Sequence, residues 1–224
     1  MPNYPQPDIL PLEISMNGVD YSNDGLEFGF YDPFVMNVSP KLISKSGSTK
    51  VTISGFGFVD SGGPHLKTKF ESPNGAFDCY NDCVLPAEYN TKHQIVSGTI
   101  PYDAVMRQGK YLKPDEPLDV EVAVFGNKFT DQNIQVYYYD EPAFEMAVPK
   151  GVPANGQDPI LIKTDFKLNS NSLDILEQFA NYTCRFKSPQ TGKIVYTQGE
   201  ATSVPYVFNA PPTHVRCHSP IWEL

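Results

Sequence analysis

The sequence lacks the features that mark several common classes of protein. Basic residues are scarce, with 17 Lys and Arg against 26 Asp and Glu, which gives a net charge of −9. Because a nucleic-acid surface needs a basic stripe that displaces counterions from phosphates, we expect no nucleic-acid partner. No run approaches the roughly 18 consecutive apolar residues of a membrane-spanning helix, so this segment should not insert into a membrane. The first twenty residues have neither a basic start nor an apolar core, so any secretion leader should lie outside this sequence.

Helical patterning is also nearly absent, and the remaining pattern is typical of short strands. Only residues 172–180 have helical spacing, enough for one or two turns. The 21 prolines and 16 glycines separate short runs of β-branched and aromatic residues, and Asn23–Gly25 predicts a tight hairpin turn. These features indicate an all-β protein built from antiparallel β-sandwiches. The clearest strand-like runs are Lys50–Ser54, Leu118–Val124, Ile134–Tyr139 and Ile160–Ile162.

Two stretches of the chain repeat one another about 107 residues apart. A self-similarity of this length indicates one small domain used again, so the function should be sought in what tandem arrays do rather than in a catalytic pocket. The matching segments are Tyr4–Asp8 with Tyr111–Asp115, Glu13–Gly18 with Glu121–Gly126, and the aromatic-Asp-Pro segments Phe30–Pro33 and Tyr138–Pro142.

One stretch of the chain resembles the opening of an IPT/TIG domain. Val35–Pro40 matches a first strand, Ser46–Ser48 a glycine turn, and Val51–Phe58 a second strand with a Gly-x-Gly-Phe bend. IPT/TIG domains are immunoglobulin-like sandwiches found in plexins, in fibrocystin-like receptors and, in variant form, in Rel-type transcription factors. In this chain, Gly55 and Gly57 permit a bend that a residue with a Cβ atom would strain.

A second copy of the pattern opens at Phe144–Pro149. It departs from the family at Lys163–Phe166, which stands where the Gly-x-Gly-Phe bend should be. It returns to a plexin-like pattern at Tyr182–Phe186 and Val215–Pro220. The resemblance therefore covers essentially the whole chain and implies tandem immunoglobulin-like sandwiches.

The register of the copies predicts the domain boundaries. Residues 1–34 should supply the last strands of a preceding repeat, residues 35–142 a complete domain, and residues 143–224 a second domain truncated before its last strands. Such a chain is either a window of a longer array, or one whose first 34 residues complete a neighbour's open sheet, since an exposed edge accepts an added strand.

Two of the four cysteines should form a disulfide. Cys184 and Cys217 stand where the preceding copy has Thr68 and Gly98, so both partners are missing together from that copy. Because side chains alternate along a strand, Cys184 should point inward together with Tyr182. We predict a bond between the two cysteines across this core. The alternative is a pair of buried, reduced thiols in an intracellular protein.

Cys79 and Cys83 are four residues apart. In an extended strand their Cα atoms would be roughly 13 Å apart, beyond disulfide reach, so only a turn could join them, and free thiols are the alternative. An even number of cysteines suggests an oxidising compartment, extracellular or at the cell surface. Asn181 and Asn37 fit the N-glycosylation pattern, and Asn37 is the poorer acceptor because Pro40 follows its serine.

We predict no catalytic, cofactor-binding or metal-binding residue. His214 and His218 flank Cys217, but on a strand both histidines face away from the cysteine, so one tetrahedral zinc site cannot collect all three. The sequence also lacks a Gly-x-Ser-x-Gly elbow and a His-Glu-x-x-His helix. The acidic residues at 20–24 lack the spacing of an EF-hand and fit a hairpin tip better.

These features indicate a non-catalytic segment of a cell-surface or secreted protein. It would act as a spacer and protein-recognition module in adhesion or receptor contacts, with other proteins, copies of itself or neighbouring repeats as partners.

One alternative is an intracellular scaffold, ciliary or cytoskeletal, with reduced cysteines. Another is DNA binding of the Rel type, which the acidic charge disfavours. A third is a carbohydrate-binding accessory module, although Trp222 is the one tryptophan and only the tyrosines at 137–139 support it.

Overall fold

In the computed structural model the chain divides into two units, Met1–Tyr139 and Asp140–Leu224. The described part of the chain contains fifteen strands and a short 3-10 helix at Gly63–His65. The helical turn predicted at 172–180 lies almost entirely outside the described residues. The structure describes residues 8–47, 49–61, 63–73, 83–100, 117–139, 141, 143–165, 179–202 and 213–222.

The first unit contains ten of these strands. They are β1 (Asp8–Pro11), β2 (Glu27–Phe30), β3 (Phe34–Ser39), β4 (Leu42–Ser44), β5 (Val51–Phe56), β6 (Lys67–Glu71), β7 (Val84–Thr91), β8 (Gln94–Ser97), β9 (Leu118–Ala123) and β10 (Ile134–Tyr139). Strands β1 and β2 form a two-stranded sheet. The other eight follow the order β3-β5-β8-β7-β6-β9-β10-β4, with only the β10–β4 pair parallel among the described strands.

Strand β7 divides the eight-stranded sheet into the two layers of a sandwich. Its residues Val84–Pro86 pair with β6, whereas its residues Ala87–Thr91 pair with β8. Alternate side chains from both halves meet in a single core, in which Ile53 of β5, Phe70 of β6 and Val120 of β9 are all buried. This is the arrangement of an antiparallel β-sandwich.

Two glycines are required where β5 passes the start of β3. A Cβ atom at Gly55 would collide with the carbonyl oxygen of Phe34 and lie 2.9 Å from the ring of Phe58. Gly57 has a φ of +72°, and a Cβ there would collide with the carbonyl oxygen of Asp32. The bend predicted at this Gly-x-Gly sequence therefore depends on close backbone approach as well as on backbone conformation.

The hairpin of β1 and β2 has the same register as the pair β9 and β10. Leu10 pairs with Phe28, and Leu118 pairs with Val136, which is an offset of 108 residues at both positions. The two pairs of strands are therefore copies of one structural element in which the same alternate positions share a face.

The offset of 108 also holds for individual hydrogen bonds. The Ile14 N–H donates to the Ser22 Oγ at 3.0 Å, and the Val122 N–H donates to the Thr130 Oγ1 at 3.0 Å. Left-handed backbone recurs at the same interval. The residues concerned are Gly18 with Gly126, and Gly25 with Asn133.

The hairpin tip lies at residues 17–20 and not at the predicted Asn23–Gly25. Ser15 bridges to Tyr21, and the Asn17 Oδ1 accepts hydrogen bonds from the backbone N–H groups of the two residues Val19 and Asp20. The tip is thus an Asn-centred turn at residues 17–20. Residues 23–25 instead lie in the second half of the hairpin, between Tyr21 and β2. The pairing of the two halves changes register there, between the Ser15–Tyr21 bridge and the pairs of β1 with β2.

The second unit contains one five-stranded sheet within the described residues. Its strands are β11 (Ala143–Val148), β12 (Pro159–Asp165), β13 (Thr183–Lys187), β14 (Ile194–Thr202) and β15 (His214–His218). Their order, β11-β12-β15-β14-β13, corresponds to β3-β5-β8-β7-β6 of the first unit. Strand β14 also changes partner along its length, from β13 to β15 at Gly199, as β7 does at Ala87.

Candidate functional site

The two cysteines that the sequence pairs, Cys184 and Cys217, form a disulfide in the second unit. Their Cα atoms are 6.1 Å apart, and the bond links β13 to β15 across the intervening strand β14. Along β13, Cys184 is buried while Arg185 is exposed, so the predicted alternation holds there. Gly199 of β14 lies against the bond, because a Cβ atom there would be 2.9 Å from the Cys184 Sγ. A larger residue at this position would press on the disulfide.

The first unit has Thr68 and Ser97 at the equivalent positions. The predicted equivalent of Cys217 was Gly98, which is wrong by one residue. A shift of one residue matters because it exchanges the two faces of a strand. The Thr68 Oγ1 and Ser97 Oγ are 2.5 Å apart, so a buried hydrogen bond stands where the second unit has its disulfide. The equivalence of these positions follows from the strand pairing. Thr68 pairs with Leu85 as Cys184 pairs with Thr197, and Ser97 pairs with Ala87 as Cys217 pairs with Gly199.

The disulfide lies in the wall of an open groove on the second unit. The groove has a volume of about 900 Å³ and is lined by side chains of β11, β12, β13 and β15. Its apolar residues are poorly covered: Ile162 and Phe186 are only partly buried, and Phe144 is 62% exposed. In the first unit, the counterparts of Ile162 and Phe186 are Ile53 and Phe70, and both are fully buried.

The groove is open along β13, which in the described part of the chain lacks the second partner strand that β6 has. In the first unit, β6 pairs with β9 along its whole length, and β9 brings apolar side chains over the core. Within the described residues, β13 pairs with β14 alone. The groove was not among the predicted features. Its signal in the sequence is the inward-facing alternation of Ile160, Ile162 and Phe186, which predicts an apolar face that further side chains must cover.

The remaining predicted site residues lie apart from the groove or at its margin. Cys83 is buried and disulfide-bonded, whereas Cys79 lies outside the described residues, so the pairing of these two cysteines stays a prediction. Asn37 on β3 is exposed. Asn181, just before β13, is also exposed, and its Oδ1 accepts a hydrogen bond of 2.9 Å from Gln198. Glycosylation at both positions stays a prediction.

His214, near the disulfide, and Tyr138 of β10 have structural partners. The sulfur of Cys217 is already in a disulfide, and the His214 Nδ1 is 2.8 Å from the Thr213 Oγ1. In the residues that the structure describes, no three metal-ligating side chains cluster. Tyr138 is buried and its hydroxyl donates to the Ile100 carbonyl oxygen at 2.6 Å, which makes it a core residue rather than part of an aromatic platform.

Two buried carboxylates on β9 were not anticipated. Asp119 and Glu121 are only 3% and 7% exposed, because β9 lies between β6 and β10 with both faces covered. Burial raises the pKa of Glu121 to about 7, and the negative charge of Glu71 adds to this effect while Lys69 opposes it. Burial also raises the pKa of Asp119. Charged residues in a strand are usually exposed, so their burial was not predicted.

We predict that the Glu121→Gln substitution stabilises the first unit at neutral and higher pH. The folded pKa of Glu121 is raised from 4.5 to about 7, so the folded state binds the proton more tightly and loses stability as pH rises through that window. Glutamine does not ionise and should remove this loss, adding about 1–3 kcal/mol above pH 7. Thermal unfolding measured from pH 4.5 to pH 8 checks this.

Glu88→Gln provides the control, because Glu88 lies exposed on β7. This variant should keep the pH dependence of the unsubstituted protein. If Glu121→Gln lost stability between pH 4.5 and pH 7 as steeply as the unsubstituted chain, Glu121 would not be the group responsible.

A known structure shares this fold. The plexin A4 full extracellular region matches 89% of this chain with a TM-score of 0.50 and 20% identity. The fold is immunoglobulin-like. The chain spans only 13% of the plexin's length, so the comparison concerns one part of a much longer molecule.

Other comparisons add less. A second structure of the plexin A4 extracellular region covers 84% of this chain and 24% of its own length, with 11% identity and a TM-score of 0.36. A marsupial T cell receptor covers 84% of both chains, with 9% identity and a TM-score of 0.30. No protein-family profile and no curated protein matches the sequence. Among the described residues, no helix is long and apolar enough to span a membrane.

Proposed function

We propose that this chain is a non-catalytic segment of a multi-domain cell-surface or secreted protein. Serial domains of the IPT/TIG type would act in it as spacers and as protein-recognition surfaces in adhesion or receptor contacts. The observation that carries the proposal is the disulfide between Cys184 and Cys217 at the centre of the second unit's small core. Such bonds persist in oxidising compartments and are rare in the cytosol.

Three further observations support this function. Cys83 is also disulfide-bonded, and no cysteine is free in the described part of the chain. Asn37 and Asn181 are exposed, as an attached glycan requires. The net charge of −9 suits protein partners better than nucleic acid. In the same proposal, residues 1–34 end a preceding repeat, residues 35–142 form one domain, and residues 143–224 belong to the next.

The test is a count of reactive thiols in the protein isolated from its own cells. Cells are lysed in acid, which stops thiol exchange, and the protein is denatured without reductant. A thiol-reactive label then marks each free cysteine, and mass spectrometry of the peptides locates the labels within this chain. A parallel sample is reduced before labelling. We expect no label without reduction and four labels after it, since the chain has four cysteines.

Four reactive thiols before reduction would contradict the surface location. That result would favour the intracellular scaffold, in which the same sandwich would hold Cys184 and Cys217 as buried thiols. The reduced sample controls for incomplete labelling, because it must reach four in either case.

A further inference from the structure

The hairpin of β1 and β2 has one face made of uncovered apolar side chains. They are between 44% and 98% exposed, although they alternate along the strands like core residues. A lone two-stranded hairpin is marginally stable in water, and a contiguous apolar face of this kind marks an interaction surface. The residues of this face are Leu10, Leu12, Ile14, Met16, Phe28 and Phe30.

The first unit shows what covers such a face. At the offset of 108 residues, each of the six has an apolar counterpart on or next to β9 and β10, and every counterpart is at most 7% exposed. There the strand pair closes a sandwich, because β9 pairs with β6 and packs its side chains on the core. The counterparts are Leu118, Val120, Val122, Val124, Val136 and Tyr138.

The second unit offers the complementary surface. Its β13 occupies the place of β6, and the outer edge of β13 has no partner strand among the described residues. Phe186 beside the groove is only partly buried, whereas its counterpart Phe70, which pairs with Val120 of β9, is fully buried in the first unit. The hairpin and this edge are therefore two halves of an interface that the first unit already contains in complete form.

We propose that the preceding repeat, which residues 1–34 end, is the second unit of another copy of this chain, so that the β1–β2 hairpin of one copy adds to β13 of the next. This inference rests on the proposed division into repeats. Strand addition to a sheet edge supplies main-chain hydrogen bonds, and alternate side chains fill the groove over the disulfide. If β1 and the residues that follow it, up to Ser15, meet β13 as β9 meets β6, Leu12 lies opposite Phe186 and Ile14 lies opposite Cys184. The six apolar side chains of the hairpin then cover the second unit's core.

Charge favours the same pairing. Residues 8–32 contain six Asp or Glu and no Lys or Arg, whereas β13 carries Arg185 and Lys187 and no acidic residue. In the proposed register Glu13 faces Arg185, just as Glu121 faces Lys69 in the first unit. Opposite charges directly across two strands stabilise the pair and fix its register.

The described residues of each copy contain one such hairpin and one unpaired edge at β13, so the contact is head-to-tail and repeats from copy to copy. The purified chain should therefore form concentration-dependent oligomers in sedimentation velocity. We expect Arg185→Glu and Glu13→Arg each to weaken the assembly at least tenfold, and the double variant that exchanges the two charges to restore it. Lys92→Glu makes the same charge change as Arg185→Glu in the exposed β7–β8 turn and should leave assembly unchanged.

A mixing experiment distinguishes this contact from general stickiness. The Ile14→Asp variant keeps its β13 edge but has a damaged hairpin, and Arg185→Glu keeps its hairpin but has a damaged edge. Each alone should be monomeric, and an equimolar mixture should form a one-to-one dimer and nothing larger. Circular dichroism of each variant confirms that it is folded.

Two results would overturn the proposal. One is a folded chain that stays monomeric at every concentration. A monomer in which the chain's own residues cover the hairpin would count as this result. The other is that Arg185→Glu and Glu13→Arg each abolish assembly but the double variant that carries both does not restore it. Because the assay uses the purified chain, its outcome is independent of the thiol count that tests the cellular compartment.

Discussion

Replacing Cys184 with threonine and Cys217 with serine is expected to destabilise the second unit by about 2–5 kcal/mol. The two cysteines are 33 residues apart in sequence, so the bond removes many conformations from the unfolded chain. The second unit has little else to compensate, because Val215 is the one other buried hydrophobic residue of its described core. Urea unfolding followed by tryptophan fluorescence measures the loss, since Trp222 is the only tryptophan and lies in this unit.

The substitution reproduces in the second unit the pair that the first unit uses. A threonine–serine hydrogen bond contributes only about 1 kcal/mol, so it should offset a minor part of the loss. Reduction of the unsubstituted protein should lower the fluorescence transition by a similar amount. Thr68→Val in the first unit serves as the control and should leave that transition unchanged. An unaltered transition in the double variant would show that the disulfide does not hold this unit together.

The repeat and the alternation of side chains predicted much of this architecture. The copies at Glu13–Gly18 and Glu121–Gly126 correspond in the structure down to single hydrogen bonds. The inward position of Cys184 followed from its alternation with exposed neighbours. These features are local consequences of a two-residue period, so the sequence alone contains them.

Two features depended on distant parts of the chain, and a third was a choice between two local signals. The exact partner of Thr68 is set by the register of β7 with β8, and an error of one residue gave Gly98 in place of Ser97. The hairpin tip was misplaced because Asn23–Gly25 and the Asn17 turn carry similar local signals. The burial of Glu121 arises only when β6 and β10 flank β9, since burial in a sheet depends on neighbouring strands rather than on the residue itself.

A second disulfide can be built into the first unit by Thr68→Cys with Ser97→Cys. The two positions match Cys184 and Cys217 in the strand register, and their side-chain oxygens are already 2.5 Å apart. They are 29 residues apart in sequence, for which a bond is expected to stabilise the unit by about 3 kcal/mol. Differential scanning calorimetry should show this as a rise in the unfolding temperature of the first unit, with the Trp222 transition unchanged.

The residue facing the new bond decides how much of that gain appears. Ala87 stands where the second unit has Gly199, and a Cβ atom at Gly199 would be 2.9 Å from the Cys184 Sγ. The same crowding should strain the new disulfide, so Ala87→Gly added to the two cysteines should raise stability further. Ala87→Gly alone should cost about 0.5–1 kcal/mol, as glycine does in a strand. If Ala87→Gly raises stability only when both new cysteines are present and bonded, the contact between residue 87 and the disulfide is identified. If the two new cysteines stay as free thiols after exposure to an oxidant, the two units do not share this register.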